Sequence, residues 1–115
     1  MIKPSEIRLK KSKKAISIVF EDGNKVEFTA ELLRVESPSA EVRGHTPNQK
    51  KLEHGKKDVQ ITKIEPVGNY AISLNFSDGH NTGIYSWNFL YELMKNKEKV
   101  WNTYIKLLKE KNLKR

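Results

Sequence analysis

The chain has no cysteine among its 115 residues. That single absence excludes disulfides, thiolate metal sites, iron–sulfur ligation by this chain and cysteine nucleophiles together. No stretch approaches the roughly 20 apolar residues that span a bilayer, and Met1-Ile2-Lys3-Pro4-Ser5 lacks the apolar segment of a secretory signal. A cytoplasmic location without membrane contact is the expectation. The usual catalytic signatures are missing as well: there is no Gly-x-x-x-x-Gly-Lys-Ser/Thr loop, no Gly-x-Ser-x-Gly elbow and no Gly-x-Gly-x-x-Gly turn. The three histidines, His45, His54 and His80, have no second histidine or carboxylate at the spacings of local zinc or iron motifs. No cofactor is expected on these grounds.

Acidic residues are scarce at the two ends. The formal charge is +8. Residues 1–14 carry six basic and one acidic residue, and residues 95–115 carry eight and two, so the middle of the chain is net acidic. A nucleic-acid groove built into a fold concentrates Lys and Arg on one face near exposed aromatics. Here the excess reads as solvated ends, with residues 1–4 and 110–115 expected to be flexible; weak nucleic-acid binding through these termini is the third reading of function.

With 37% hydrophobic and 31% charged residues, the composition suits one small globular domain over residues 1–115. Ser5 to Leu9 alternates weakly, Ala15 to Phe20 is rich in β-branched residues, and Lys25-Val26-Glu27-Phe28-Thr29 alternates polar with apolar, the period of a half-buried strand. Asp22-Gly23 supplies a tight turn between the last two. A near-copy follows: Ile16-Ser17-Ile18-Val19-Phe20-Glu21-Asp22-Gly23-Asn24 aligns with Ile72-Ser73-Leu74-Asn75-Phe76-Ser77-Asp78-Gly79-His80. Between the copies, residues 30–35 read as a short helical turn and residues 37–57 as a long polar surface loop. Residues 59–62 and 64–67 give one or two strands, with Pro66 favouring an edge.

The period then becomes helical. Ser86 is a good N-cap for a helix from Trp87 to Met94, with Tyr85 and Leu90 placed as a hydrophobic staple. A second helix after Asn96 carries Val100, Trp101, Tyr104, Ile105, Leu107 and Leu108 on one face, a packing stripe. The fold class is therefore α+β: a small, mostly antiparallel β-sheet built from two similar hairpins, with two C-terminal helices.

Two features invite a site. His80 stands where the first hairpin has Asn24, so histidine is not required by the turn; it either hydrogen-bonds locally, for example to Asp78, or contacts a ligand or partner. Ser37-Pro38-Ser39-Ala40-Glu41, flanked by Arg34 and Arg43, reads as a helix cap, or alternatively as backbone N–H groups and guanidinium groups that hold an anion.

Three ordered blocks now combine: Leu32-Leu33-Arg34-Val35-Glu36-Ser37-Pro38-Ser39-Ala40-Glu41-Val42, then Val67-Gly68-Asn69-Tyr70-Ala71, then Phe76-Ser77-Asp78-Gly79-His80-Asn81-Thr82-Gly83-Ile84-Tyr85-Ser86-Trp87. Together they resemble the gamma-butyrobetaine hydroxylase-like N-terminal domain, a bacterial domain of unknown function also found fused to other proteins. In the dioxygenases that name that family, the domain precedes a separate jelly-roll that binds iron and 2-oxoglutarate, and this chain stops before such a domain. Those members hold a structural zinc with Cys-Pro-Cys-x-x-Cys and a histidine after the Asp-Gly turn. The matching positions here are Ser37, Ser39, Val42 and His80, so the resemblance implies that only His80 remains and that no metal is held. It also implies that the Ser37–Val42 turn lies against the His80 hairpin.

Similar domains accompany Mrp-type iron–sulfur carrier ATPases, so the resemblance implies a protein partner, such an ATPase or a dioxygenase. The leading expectation is a non-catalytic interaction domain with a contact surface around Arg34, Ser37, Ser39, Arg43, Asp78, His80, Tyr85 and Trp87. The alternative from another class is a small-anion or metal-binding module using His80 and the Ser37–Arg43 turn.

Overall fold

A computed structural model describes all 115 residues. The chain runs β1 (Pro4–Leu9), β2 (Ala15–Phe20), β3 (Lys25–Thr29), α1 (Ala30–Val35), α2 (Ala40–Arg43), a 3-10 turn at Pro47–Gln49, β4 (Ile61–Val67), β5 (Ala71–Phe76), β6 (Gly83–Ser86) and α3 (Trp87–Glu110). The domain is α+β. Its strands form two separate three-stranded antiparallel sheets, β1-β2-β3 and β4-β5-β6, rather than one. Each meander feeds directly into a helix whose cap is the last strand residue: Thr29 Oγ1 accepts from Leu32 N–H, and Ser86 Oγ from Phe89 N–H, both at 3.0 Å.

The near-copy in the sequence is a near-copy in hydrogen bonding. Phe20 and Phe76 N–H donate to the carbonyls of Asn24 and His80. The Asp22 and Asp78 carboxylates accept from the N–H groups of those same residues. Gly23 and Gly79 sit at φ +91° and +94°, the left-handed region open to glycine. The turns share these bonds and differ in their outer partners: Asp22 also accepts from Tyr91, and Asp78 from Arg34 and Lys56.

Alternation decides which face is buried. Ile16, Ile18 and Phe20 of β2 point inward with Phe28 of β3, while Ile72, Leu74 and Phe76 of β5 do the same with Tyr85 of β6. These join Leu32, Leu33, Leu90 and Leu93 in one apolar core. Truncating a wholly buried aromatic such as Phe28 to alanine costs about 3–5 kcal/mol by comparison with similar sites. The two sheets meet where Ile61 N–H donates to the Lys13 carbonyl at 2.7 Å.

Besides the division into two sheets, sequence expectations change in the C-terminal helices and in the 37–57 stretch. The two C-terminal helices are one: α3 runs unbroken for 24 residues, with Asn96 donating back to the Glu92 carbonyl and Lys97 reaching the Glu27 carbonyl of β3. At about 36 Å this helix is nearly as long as the 40 Å greatest extent of the molecule. Its far half packs Tyr104 and Leu108 against Val35 in a second small core, while Leu107 of the predicted stripe is exposed.

The polar stretch 37–57 is not simply a surface loop, since Ser37, Ser39 and Val42 within it are buried. At the C-terminal end the chain folds back on the domain. Asn112 adopts φ +55° after the helix, and Arg115 reaches the buried Glu31 carboxylate at 2.8 Å with its guanidinium 5.1 Å from the Trp101 ring. A buried carboxylate without a cation would be costly, which explains the return of the chain.

Candidate functional site

The Ser37–Val42 turn and the His80 hairpin are in contact. His80, on the β5–β6 turn, is buried, and both ring nitrogens have partners. Nε2 lies 2.9 Å from Ser37 Oγ and Nδ1 lies 3.1 Å from Glu41 Oε2. Ser37 Oγ also accepts the Ser39 N–H at 3.2 Å. The network assigns the neutral ring with the proton on Nδ1, donating to Glu41, and with Nε2 accepting from the Ser37 hydroxyl.

Because Ser37 is engaged in this way, it is not the helix cap that Ser37-Pro38 suggests. Ser39 caps α2, accepting from Glu41 N–H at 3.2 Å while its hydroxyl pairs with Thr82 at 2.6 Å. Room for the Ser37 hydroxyl depends on a missing side chain opposite: a Cβ on Gly83 would lie 2.7 Å from Ser37 Oγ and 2.9 Å from Tyr85 Cε1. Tyr85, wholly buried, donates to the Leu33 carbonyl. Trp87 Nε1 donates to the Asn69 carbonyl at 2.8 Å, which ties the start of α3 to the β4–β5 turn.

Both arginines are engaged with protein acceptors, Arg34 from a buried and Arg43 from a half-buried position. Arg34 Nε donates to Asp78 Oδ2 at 2.8 Å, and its Nη1, closed off from solvent, faces Glu53 at 3.7 Å as an ion pair without a hydrogen bond. Arg43 donates to the carbonyls of Ser37 and Glu36 at 3.0 and 2.7 Å. Lys56 adds a second cation on Asp78 at 2.7 Å. The guanidinium groups thus neutralise protein acceptors, and no free pair of cations faces an anion at the start of α2.

These contacts set the titration of the cluster. Burial pushes the Asp78 carboxyl up, but hydrogen bonds from Lys56, the His80 N–H and Arg34, with the Arg34 charge, hold it down to about 2. Burial, then the Arg34 charge, lowers the His80 value below its ordinary 6.5 against the opposing pull of Glu41 and Asp78. Burial raises the Tyr85 phenol far above its ordinary value.

Serine, histidine and carboxylate in a line resemble a hydrolase triad, and Glu41 is the member that sequence reasoning missed. The burial is the reverse of what that chemistry needs. A nucleophilic hydroxyl has to meet a substrate carbonyl at roughly 3 Å, yet Ser37 is 0% exposed and the carboxylate end, Glu41, is the open one. The same positions do not suit a zinc ion either: two hydroxyls, one valine and one imidazole nitrogen already bonded to a hydroxyl offer a single good ligand. No group of three or more metal-ligating side chains occurs anywhere in the structure.

Of the eight residues expected to form a contact surface, Arg34, Ser37, Ser39, His80, Tyr85 and Trp87 are buried. Arg43 is half-buried, and Asp78 lies on an exposed turn. The structure brings these residues together as an internal frame, and what faces solvent above it is the edge formed by Glu41, Arg43 and Asp78. No helix is long and apolar enough to cross a membrane.

Comparison with known proteins fits this architecture. No curated protein matches the chain. Two NMR solution structures match over its full length, one at 40% identity with a TM-score of 0.85 and 90% of its own chain covered, the other at 43% with 0.84 and 86% covered. A crystal structure of a protein of unknown function of the DUF971 family, from Acidithiobacillus ferrooxidans ATCC 23270, matches 79% of this chain and 91% of its own at 38% identity with a TM-score of 0.66. A family model described as gamma-butyrobetaine hydroxylase-like, N-terminal, matches residues 7–91. With that match running from β1 into α3, the chain belongs to the gamma-butyrobetaine hydroxylase-like N-terminal family.

Proposed function

We propose that this chain is a non-catalytic accessory domain that works by binding another protein. One observation carries the reading: the one serine–histidine pair in hydrogen-bond contact is engaged inside the fold, with the Ser37 hydroxyl wholly buried between His80 and the Ser39 N–H. A group with no path to solvent cannot act on a substrate without local opening, whereas a fixed frame presents surface residues in constant geometry. The absence of cysteine means that the chain offers no thiolate to a metal cluster, so any part in iron–sulfur transfer is played by contact. An Mrp-type carrier ATPase or a dioxygenase, the partners implied by the family resemblance, are the first to examine.

Affinity purification of the tagged chain from its native cells, followed by reconstitution with the recovered protein on a sizing column, tests this. The expected result is a stoichiometric complex that forms from the two purified components. A chain that elutes alone at micromolar concentration with each recovered protein, or that turns over a substrate unaided, contradicts the proposal.

A further inference from the structure

A groove of about 410 Å³ lies away from the His80 cluster, between α3 and the extended segment around Lys51. Its floor is apolar: Val35, Leu52, Val100, Tyr104 and Leu107. Tyr104 presents its ring there because its hydroxyl is bound to the Glu53 carbonyl at 3.0 Å. Leu107 is 39% exposed, one of few large apolar side chains left open on the molecule. Val35 and Tyr104 at its base are themselves buried, so the apolar surface that gains by being covered is the strip of half-buried Leu52 and Val100 with exposed Leu107.

The charges around this floor do not cancel. Glu36 is neutralised by Lys50 at 2.8 Å and Arg43 at 3.4 Å, and Glu53 faces Arg34. Both groove carboxylates are therefore matched from within the fold. Lys51 on the extended wall and Lys99 on the helical wall have no carboxylate partner. The groove is left with an apolar floor between two unmatched cations on opposite walls.

We propose, resting on the reading of the chain as a protein-binding domain, that this groove receives an acidic amphipathic helix of a partner protein. The helical wall from Asn96 to Leu107 is about 16 Å long, which matches three turns of a docked helix with apolar anchors at i, i+3 or i+4, and i+7. Carboxylates flanking those anchors meet Lys51 and Lys99. An apolar floor is poorly suited to a nucleic-acid backbone, whose phosphates bind cations and would leave the apolar strip exposed to water.

Selection of a random twelve-residue peptide library on the full chain tests the groove. Enriched peptides are expected to combine leucine-like anchors at helical spacing with two or more carboxylates, and to bind more weakly as salt rises. The double variant Lys51→Glu/Lys99→Glu, and separately Leu107→Glu, should each weaken the selected peptides by about tenfold or more with an unchanged Tm, since all three side chains are exposed. Failure to enrich acidic amphipathic peptides, or equal binding by both variants, overturns the groove assignment. Peptides that bind elsewhere would leave the protein-binding reading standing, whereas a chain that recovers neither peptide nor native partner loses both. Tighter binding of a single-stranded oligonucleotide through the same lysines would also overturn it.

Discussion

Ser37 Oγ and His80 Nε2 lie 2.9 Å apart although 43 positions separate them in the chain. This contact closes the turn before α2 onto the β5–β6 hairpin, at the positions where the family resemblance implies a structural zinc in cysteine-bearing relatives. A hydroxyl–imidazole bond, extended by Glu41 and by the Ser39 N–H, joins the same two segments without a metal.

If this hydrogen bond is structural, Ser37→Ala leaves a buried imidazole nitrogen unpaired and lowers unfolding free energy by about 1–3 kcal/mol. Gly83→Ala, which drives a methyl group into Ser37 Oγ, should cost a similar amount. Urea denaturation with a common m-value measures both. Because each substitution removes the same contact, their effects should fall short of additive in the double variant.

The depressed His80 value gives a direction for acid sensitivity. The unfolded chain binds a proton near pH 6.5 and the folded chain only at lower pH, so stability falls as pH drops below about 6.5 until the folded histidine also protonates. Asp78, held at about 2 against an ordinary 3.8, adds a second loss as pH falls from about 4 towards 2. Thermal melts from pH 8 to pH 3 should show both, and His80→Asn should flatten only the upper one while lowering stability throughout.

Metal should be irrelevant to this chain. Zinc or a chelator added to the wild-type protein is expected to leave Tm unchanged, because a hydroxyl pair and one imidazole do not compete with water for the ion. The variant Ser37→Cys/Ser39→Cys/Val42→Cys, which restores the ligand pattern implied by the resemblance, should acquire a zinc-dependent rise in Tm. Zinc-dependent stabilisation of the wild type would contradict the donor-set argument.

Ser37 should also be chemically silent. A fluorophosphonate probe that labels activated serines is expected to leave Ser37 unlabelled in the folded protein, since the hydroxyl is wholly buried. Stoichiometric labelling, read by intact mass and peptide mapping, would turn the Ser37–His80–Glu41 line into a working triad.

Parts of this architecture are legible in the sequence because local chemistry fixes them. Asp22-Gly23 and Asp78-Gly79 announce their turns through glycine's freedom at positive φ, and Ser86 announces the start of α3. The continuity of α3 through Asn96 is not legible, because a solvated polar stretch looks the same whether it interrupts a helix or forms its outer face. Burial of Arg34, Ser37 and Ser39 is equally hidden: polar residues read as surface until their partners are known, and those partners, Asp78, His80 and Thr82, lie more than 40 positions away. Glu41 stands in the Ser37–Glu41 cluster, but its pairing with His80 is hidden for the same reason, since no spacing relates the two.

The His80 cluster acts as framework, and on the proposed function the binding surface lies elsewhere, on the face that the fold presents. This division is tested most directly by measuring Tm and recovery of the native partner side by side in His80→Asn and in Lys51→Glu/Lys99→Glu. The first variant should melt lower with partner recovery retained, and the second should keep its Tm with recovery lost. Loss of partner recovery from a folded His80→Asn variant, with full recovery by the lysine variant, would contradict this division.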